Sequence, residues 1–257
     1  MDTTIEVQGV AVPAVGFGTW QLTGRACAEA VSDALALGYR HIDTARAYHN
    51  EREVGEGIRA SGIARDQIFL VTKVPRSDAH AERVRASCDA SLADLGVDHV
   101  DLLLLHWPAP HVPLAETLGA MASLRDEGRA AHIGVSNFPP PLLQEALELA
   151  TVINDQVELN PYRPQNELVE VASRRDVLVT AYSPLARGRV ARDRVLEEIG
   201  ARHGKTAVQV ALRWALDHPK TCVVPKAATH ERRIENLGVF DFELSDDERA
   251  RIDTLGR

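Results

Sequence analysis

An aspartate, a lysine and a histidine close three successive apolar runs, YRHID (39–43), FLVTK (69–73) and VDLLLLH (100–106). Short apolar runs bounded by turn residues read as buried strands, so Asp43, Lys73 and His106 are predicted where strands end. Tyr48 follows Asp43 by five residues on the same connection. A lysine beside a carboxylate stays charged, and a cation near a phenol favours the phenolate, bringing it down from its ordinary value near 10. Tyr48 then becomes a usable general acid, with Lys73 as the tuning charge and His106 beside it. The chemical rival is a Schiff-base lyase built on Lys73, which would need the amine deprotonated against the pull of Asp43. No metal site is expected: the sequence has no H-x-H or H-E-x-x-H, and His41, His80, His99 and His218 lack partners at ligand spacing. The G-x-S-x-G of serine hydrolases is also missing.

These groups need a frame that brings strand ends together. Four further runs, AHIGVS (131–136), VINDQ (152–156), VLVTAY (177–182) and TCVVPK (221–226), end on Ser136 with Asn137, on Gln156, on Tyr182 and on Lys226. With VGFG (15–18) there are eight strand candidates, separated by segments of helical period. AEAVSDALAL stops before Gly38 and ERVRASCDASLADL before Gly96, as expected of glycine caps. Strand and helix repeated about eight times predict one α/β domain over 1–257, a (β/α)8 TIM barrel, whose chemistry gathers at the C-terminal strand ends. Any one polar strand end could be incidental, but seven in succession point to one rim. Residues 3–13 read as an N-terminal β-hairpin turning at Gly9, and SDDERARIDTL as a short C-terminal helix capped by Ser245.

Composition removes other classes. The 257 residues carry a formal net charge of −8 with scattered lysines and arginines, which argues against nucleic acid. No apolar run approaches the ~20 residues of a membrane span, and the N-terminus has no basic-then-apolar leader. Cys27, Cys88 and Cys222 are far apart and odd in number, which suits a reducing compartment and predicts a cytoplasmic protein. A small-molecule substrate and a monomer are the expected partner and state.

The stretch GYRHIDTARAYHNEREVGEGI (38–58) resembles the aldo-keto reductase signature G-[FY]-R-x-x-D-T-A-x-x-Y-x-N-E-x-x-V-G. GVSNF (134–138) and VPKAATHERRIEN (224–236) resemble two further signatures, and VTK, HWP and QVELNP fall in the same order. The likeness covers nearly the whole chain and is strongest to short bacterial members similar to 2,5-diketo-D-gluconic acid and methylglyoxal reductases. It implies an NADPH-dependent oxidoreductase with Asp43, Tyr48, Lys73 and His106 as a catalytic tetrad, Tyr48 as proton donor and His106 orienting the carbonyl oxygen.

By the same likeness Ser136, Asn137 and Gln156 would hold the nicotinamide carboxamide and Tyr182 would stack on its ring. Ser183, Pro184, Leu185 and Gly188 would follow the pyrophosphate. Pro225, Lys226 and Arg232 would take the 2′-phosphate end, with Glu235 and Asn236 at the adenine. Trp20 and Trp107 would wall the substrate pocket with Tyr48 and His106, joined by Phe17 and His49. Small aldehydes, α-dicarbonyls such as methylglyoxal and sugar-derived keto acids are the implied substrates. Ala227 stands where the family often has Ser or Thr, which predicts relaxed use of NADH. Gly57 stands where alanine is usual, a helix-propensity cost without an evident reason in the sequence. There is no G-x-G-x-x-G, so a Rossmann site is not expected. The alternative on the same barrel is a catalytically idle, cofactor-sensing subunit.

Overall fold

The computed structural model describes residues 3–256; Met1, Asp2 and Arg257, at the ends of the 1–257 domain reading, lie outside the described residues. A hairpin of β1 (Thr4–Val7) and β2 (Val10–Pro13) comes first. Its two turn residues, Gln8 (φ 47°) and Gly9 (φ 78°), are both left-handed, which matches the twist of a tight hairpin. Eight parallel strands follow: β3 (Phe17–Gly18), β4 (His41–Asp43), β5 (Phe69–Val74), β6 (Val100–Leu105), β7 (Ala130–Ser136), β8 (Val152–Glu158), β9 (Leu178–Tyr182) and β10 (Thr221–Val223). Each pairs with its sequence neighbours, and the Val15–Val223 bridge with the Gly16 N–H donating to Val223 O (2.8 Å) joins the last strand to the first. The sheet therefore closes into the expected barrel.

The helices are α1 (Gly24–Ala36), α2 (Glu51–Ser61), α3 (Ala81–Leu95), α4 (Leu114–Asp126), α5 (Pro140–Leu149), α6 (Asn166–Arg174), α7 (Arg194–His203), α8 (Ala207–Leu216), α9 (His230–Leu237) and α10 (Asp246–Asp253). Gly96 ends α3 at φ 67°, and Ser245 caps α10 in a box whose second half is Glu248. The leucine run shows why parallel barrel strands read as unbroken apolar stretches. Leu102 and Leu104 pack inside the barrel with Val71 and Ile153, while Leu103 and Leu105 face the helices. The hairpin seals the opposite end from the strand termini: Val7 and Val12 pack on Leu178 and Cys222.

The two layers also explain Gly57. A Cβ there would lie 2.5 Å from Ala28 O and 2.7 Å from Val31 Cβ, so the glycine lets α2 sit directly on α1. Its reason is a helix contact that periodicity along one segment does not reveal.

Candidate active site

Asp43 is the last residue of β4 and Lys73 the penultimate residue of β5, and both side chains turn into the barrel mouth, almost completely buried. Lys73 Nζ donates to Asp43 Oδ1 (2.8 Å), Asp43 Oδ2 (2.9 Å) and the Thr44 carbonyl (2.7 Å). Three acceptors call for three N–H groups, so the amine is an ammonium with no lone pair to offer. Burial lowers its proton affinity below the ordinary lysine value, with the Asp43 carboxylate opposing that shift. That cage removes the Schiff-base reading of Lys73.

Tyr48 ends a short 3-10 turn, Arg46–Tyr48, and its ring lies 5.1 Å from Lys73 Nζ. The His106 ring meets it edge-on, with centroids 5.7 Å apart. His106 stands one residue past β6, its N–H donating to Val74 O at 2.9 Å. Burial, then the Lys73 charge, depress the imidazole to about 4, so it is neutral at physiological pH. The expected lowering of Tyr48 is not what the site does. Burial, then the Asp43 carboxylate, push its phenol up, because the Lys73 charge is spent on three closer acceptors. Tyr48 is thus kept protonated, and its hydroxyl bonds to no side chain among the described residues.

The other strand-end residues join in one chain of hydrogen bonds. The Tyr182 hydroxyl donates to Asn137 Oδ1 (2.8 Å), and Asn137 Nδ2 donates to Ser136 Oγ (3.0 Å) and to the His106 carbonyl (3.2 Å). Ser136 Oγ donates to the Gln156 carbonyl (2.7 Å), and Gln156 Nε2 donates to Asp43 Oδ2 (2.7 Å). Two placements differ from the sequence reading. Gln156 lies within β8, two residues before its end, and Lys226 lies three residues beyond β10 on an exposed loop.

All of these face one cleft of about 1580 Å³, which runs from Trp20, Tyr48, His106 and Trp107 to Lys226, Arg232, Glu235 and Asn236. Ser183, Pro184, Leu185, Gly188 and Pro225 line its middle. Phe17 and His49 do not join the pocket wall. Phe17 is fully buried against Tyr39 (5.9 Å, edge-on), and His49 is the left-handed residue that ends the Tyr48 turn.

The sequence reading missed the arginines of the loop after β9. Arg187, Arg189 and Arg192 line the cleft, with Arg187 5.8 Å from the Trp20 ring and Arg189 stacked 3.6 Å over Tyr162. The signal was ARGRVAR (186–192), three arginines in seven residues on the loop that follows a strand. Together with Lys226 and Arg232 they form no ion pair with an acid among the described residues, which leaves five cations along the cleft without a direct carboxylate partner. Cations at one end and amides at the other are the donor set that a phosphorylated dinucleotide requires.

A closed parallel barrel with such a cleft at its strand ends defines a cofactor-dependent barrel enzyme. Residues 14–257 match the model of the aldo/keto reductase family. The chain is 44% identical to an aldo-keto reductase of Mycolicibacterium smegmatis over 96% of this chain and 90% of that one. It is 38% identical to the glyoxal reductase of Bacillus subtilis, covering 100% and 93%. A crystal structure provisionally assigned as a 2,5-diketo-D-gluconic acid reductase B superposes with a TM-score of 0.97 at 44% identity, covering 100% of this chain and 92% of that one. The chain belongs to the aldo/keto reductase family. It is an NAD(P)H-dependent oxidoreductase that acts on small carbonyl compounds, and no helix among the described residues is long and apolar enough to cross a membrane.

Proposed function

We propose that this reductase prefers NADPH and reduces small aldehydes and α-dicarbonyls such as methylglyoxal, with sugar-derived keto acids in its range and Tyr48 as the proton donor. The observation that carries the reading is the caged Lys73 ammonium beside a Tyr48 hydroxyl that stays protonated and faces the cleft. Bound NADPH would supply the hydride. The chain supplies geometry and charge. The neutral His106 ring offers an N–H to the carbonyl oxygen, and one such donor is worth ~3 kcal/mol where negative charge develops. Tyr48 delivers its proton to the same oxygen, and the Lys73 ammonium, 5.1 Å from the ring, offsets the Asp43 carboxylate that would otherwise oppose the phenolate left behind.

Asn137, Gln156 and Ser136 would take the carboxamide, with Tyr182 against the ring. Their present bonds to one another keep these groups oriented. Lys226 and Arg232 would take the 2′-phosphate. Ala227, which lines the cleft beside Lys226, offers no hydroxyl, a loss of about 1 kcal/mol that narrows the margin over NADH. The exposed rims of Trp20 and Trp107 leave an open mouth suited to varied small substrates. We place the enzyme in the cytoplasm as a monomer folded as one domain; its three buried free thiols suit a reducing compartment.

The test is NADPH oxidation with methylglyoxal and an aromatic aldehyde, beside NADH and beside Tyr48→Phe. Turnover by the wild type with a loss of about 10² or more in the variant supports the reading. NADPH binding without reduction of either carbonyl would instead favour the idle-barrel alternative.

A further inference from the structure

Asp155 has no part in the tetrad, yet it sits behind the amide end of the cleft. It lies on β8 directly after a bulge, where a step of two positions along β7 (Ile133 to Val135) matches a step of three along β8 (Val152 to Asp155). Bulges of this kind re-aim the side chains that follow them. Asp155 is fully buried, Oδ2 has no hydrogen-bond partner, and Oδ1 accepts only the Phe138 N–H at a long 3.4 Å. A buried carboxyl supplied with one weak donor needs an explanation.

Phe138 follows Asn137, which is held in the left-handed region at φ 64° and whose own N–H donates to the Gln156 carbonyl (2.9 Å). Asn137 is the branch point of the hydrogen-bond chain joining Tyr182, Ser136 and the His106 carbonyl. Asp155 thus anchors the residue after the branch point and adjoins Gln156, which holds Asp43.

We propose that Asp155 is a positioning residue for the cofactor's amide end. Its carboxyl contacts the Asn137 turn through the Phe138 N–H, and ionisation of that carboxyl, by drawing in water or further donors from the 136–138 turn, shifts Asn137 and weakens dinucleotide binding. The inference rests on the cofactor reading above.

No charge packs against the group. The inward faces of the flanking helices are apolar, Leu143 and Ala146 on α5 and Leu168, Val169 and Ala172 on α6. The ionisable residues of α5, Glu145 and Glu148, and those of α6, Glu167, Glu170 and Arg174, are exposed. On the strands, His132 is at the far end of β7, Glu158 ends β8 and Tyr182 ends β9. Burial accordingly outweighs the Phe138 N–H and raises the carboxyl to about 8. An ionised Asp155 would be a buried charge with one donor, and it gains more only if water enters or the 136–138 turn moves. Either event disturbs Asn137.

The test is NADPH affinity by fluorescence titration from about pH 6.5 to about pH 9.5, with the Phe138 amide resonance followed in the cofactor-free protein over the same range. Wild type should weaken roughly tenfold across that range, while Asp155→Asn and the smaller Asp155→Ser, which cannot ionise, should stay flat. The Phe138 amide should titrate in wild type and not in the variants. A variant that follows the wild-type curve, or a wild-type Phe138 amide that ignores pH, overturns the proposal. If NADPH fails to bind at any pH, the cofactor reading falls and with it the consequence for binding, whereas the amide titration reports the Asp155 link to the turn independently.

Discussion

Replacing Gly57 by alanine sets local preference against packing. In a helix interior alanine is favoured over glycine by about 1 kcal/mol, so secondary-structure propensity predicts a more stable protein. At this site the new Cβ would lie 2.5 Å from Ala28 O and 2.7 Å from Val31 Cβ. A backbone carbonyl cannot rotate away, and a β-branched valine in a helix is confined to one dominant rotamer. Relief requires α1 and α2 to separate by most of an ångström, which loosens the packing of Val31, Val54 and Ile58 between them. Overpacking of this kind costs ~1–3 kcal/mol, which exceeds the propensity gain. Gly57→Ala should lower the melting temperature by roughly 2–6 °C for a chain of this size. Gly119→Ala is the control: Gly119 is exposed on α4 with nothing within 4 Å of where a Cβ would stand, so the same chemical change should raise the midpoint. Thermal unfolding followed by far-UV circular dichroism reads both. A Gly57→Ala protein as stable as wild type, or more so, would refute the claim that the helix contact decides this residue.

The remaining predictions concern charge. Lys73→Met should cut kcat by about 10² or more with little change in NADPH affinity measured by fluorescence, since Lys73 touches only Asp43 and Thr44 and not the phosphate end. Arg232→Leu should raise the KM for NADPH roughly tenfold while leaving that for NADH nearly unchanged, as a lost charge-assisted contact to the 2′-phosphate would do. His106, held at about 4 against an ordinary 6.5, is unprotonated in the native state across a window where the unfolded chain gains a proton. Stability is therefore lost as pH falls from 6.5 toward 4, and His106→Gln should reduce that loss in urea titrations. Asp155 has the opposite sign: native protein keeps the proton that the unfolded chain releases between 3.8 and about 8, so stability drains as pH rises. Asp155→Asn should remove that slope and be the more stable protein at alkaline pH, by up to several kcal/mol; equal urea midpoints for the two proteins there would contradict it.

The alternation of strands and helices, the hairpin turn, the glycine cap at Gly96 and the Ser245 box were legible in the sequence because each depends on residues a few positions apart. The same holds for the rim: a polar residue ending an apolar run is a local pattern, and repeated around the chain it marks one end of a closed sheet. The family resemblance added roles that periodicity alone could not assign. What only the tertiary structure decided are relations across elements. Gln156 meets Asp43 at a separation of 113 residues, through the stagger of β8 against β4. Lys73 spends its three protons on Asp43 and Thr44, which reverses the shift expected for Tyr48. Gly57 answers to the distance between two helices, Phe17 turns into the core instead of the pocket, and Asp155 is aimed by a bulge. Local pattern fixes which side chains arrive at the rim, but distance and dielectric set their chemistry, and those exist only once the barrel has closed.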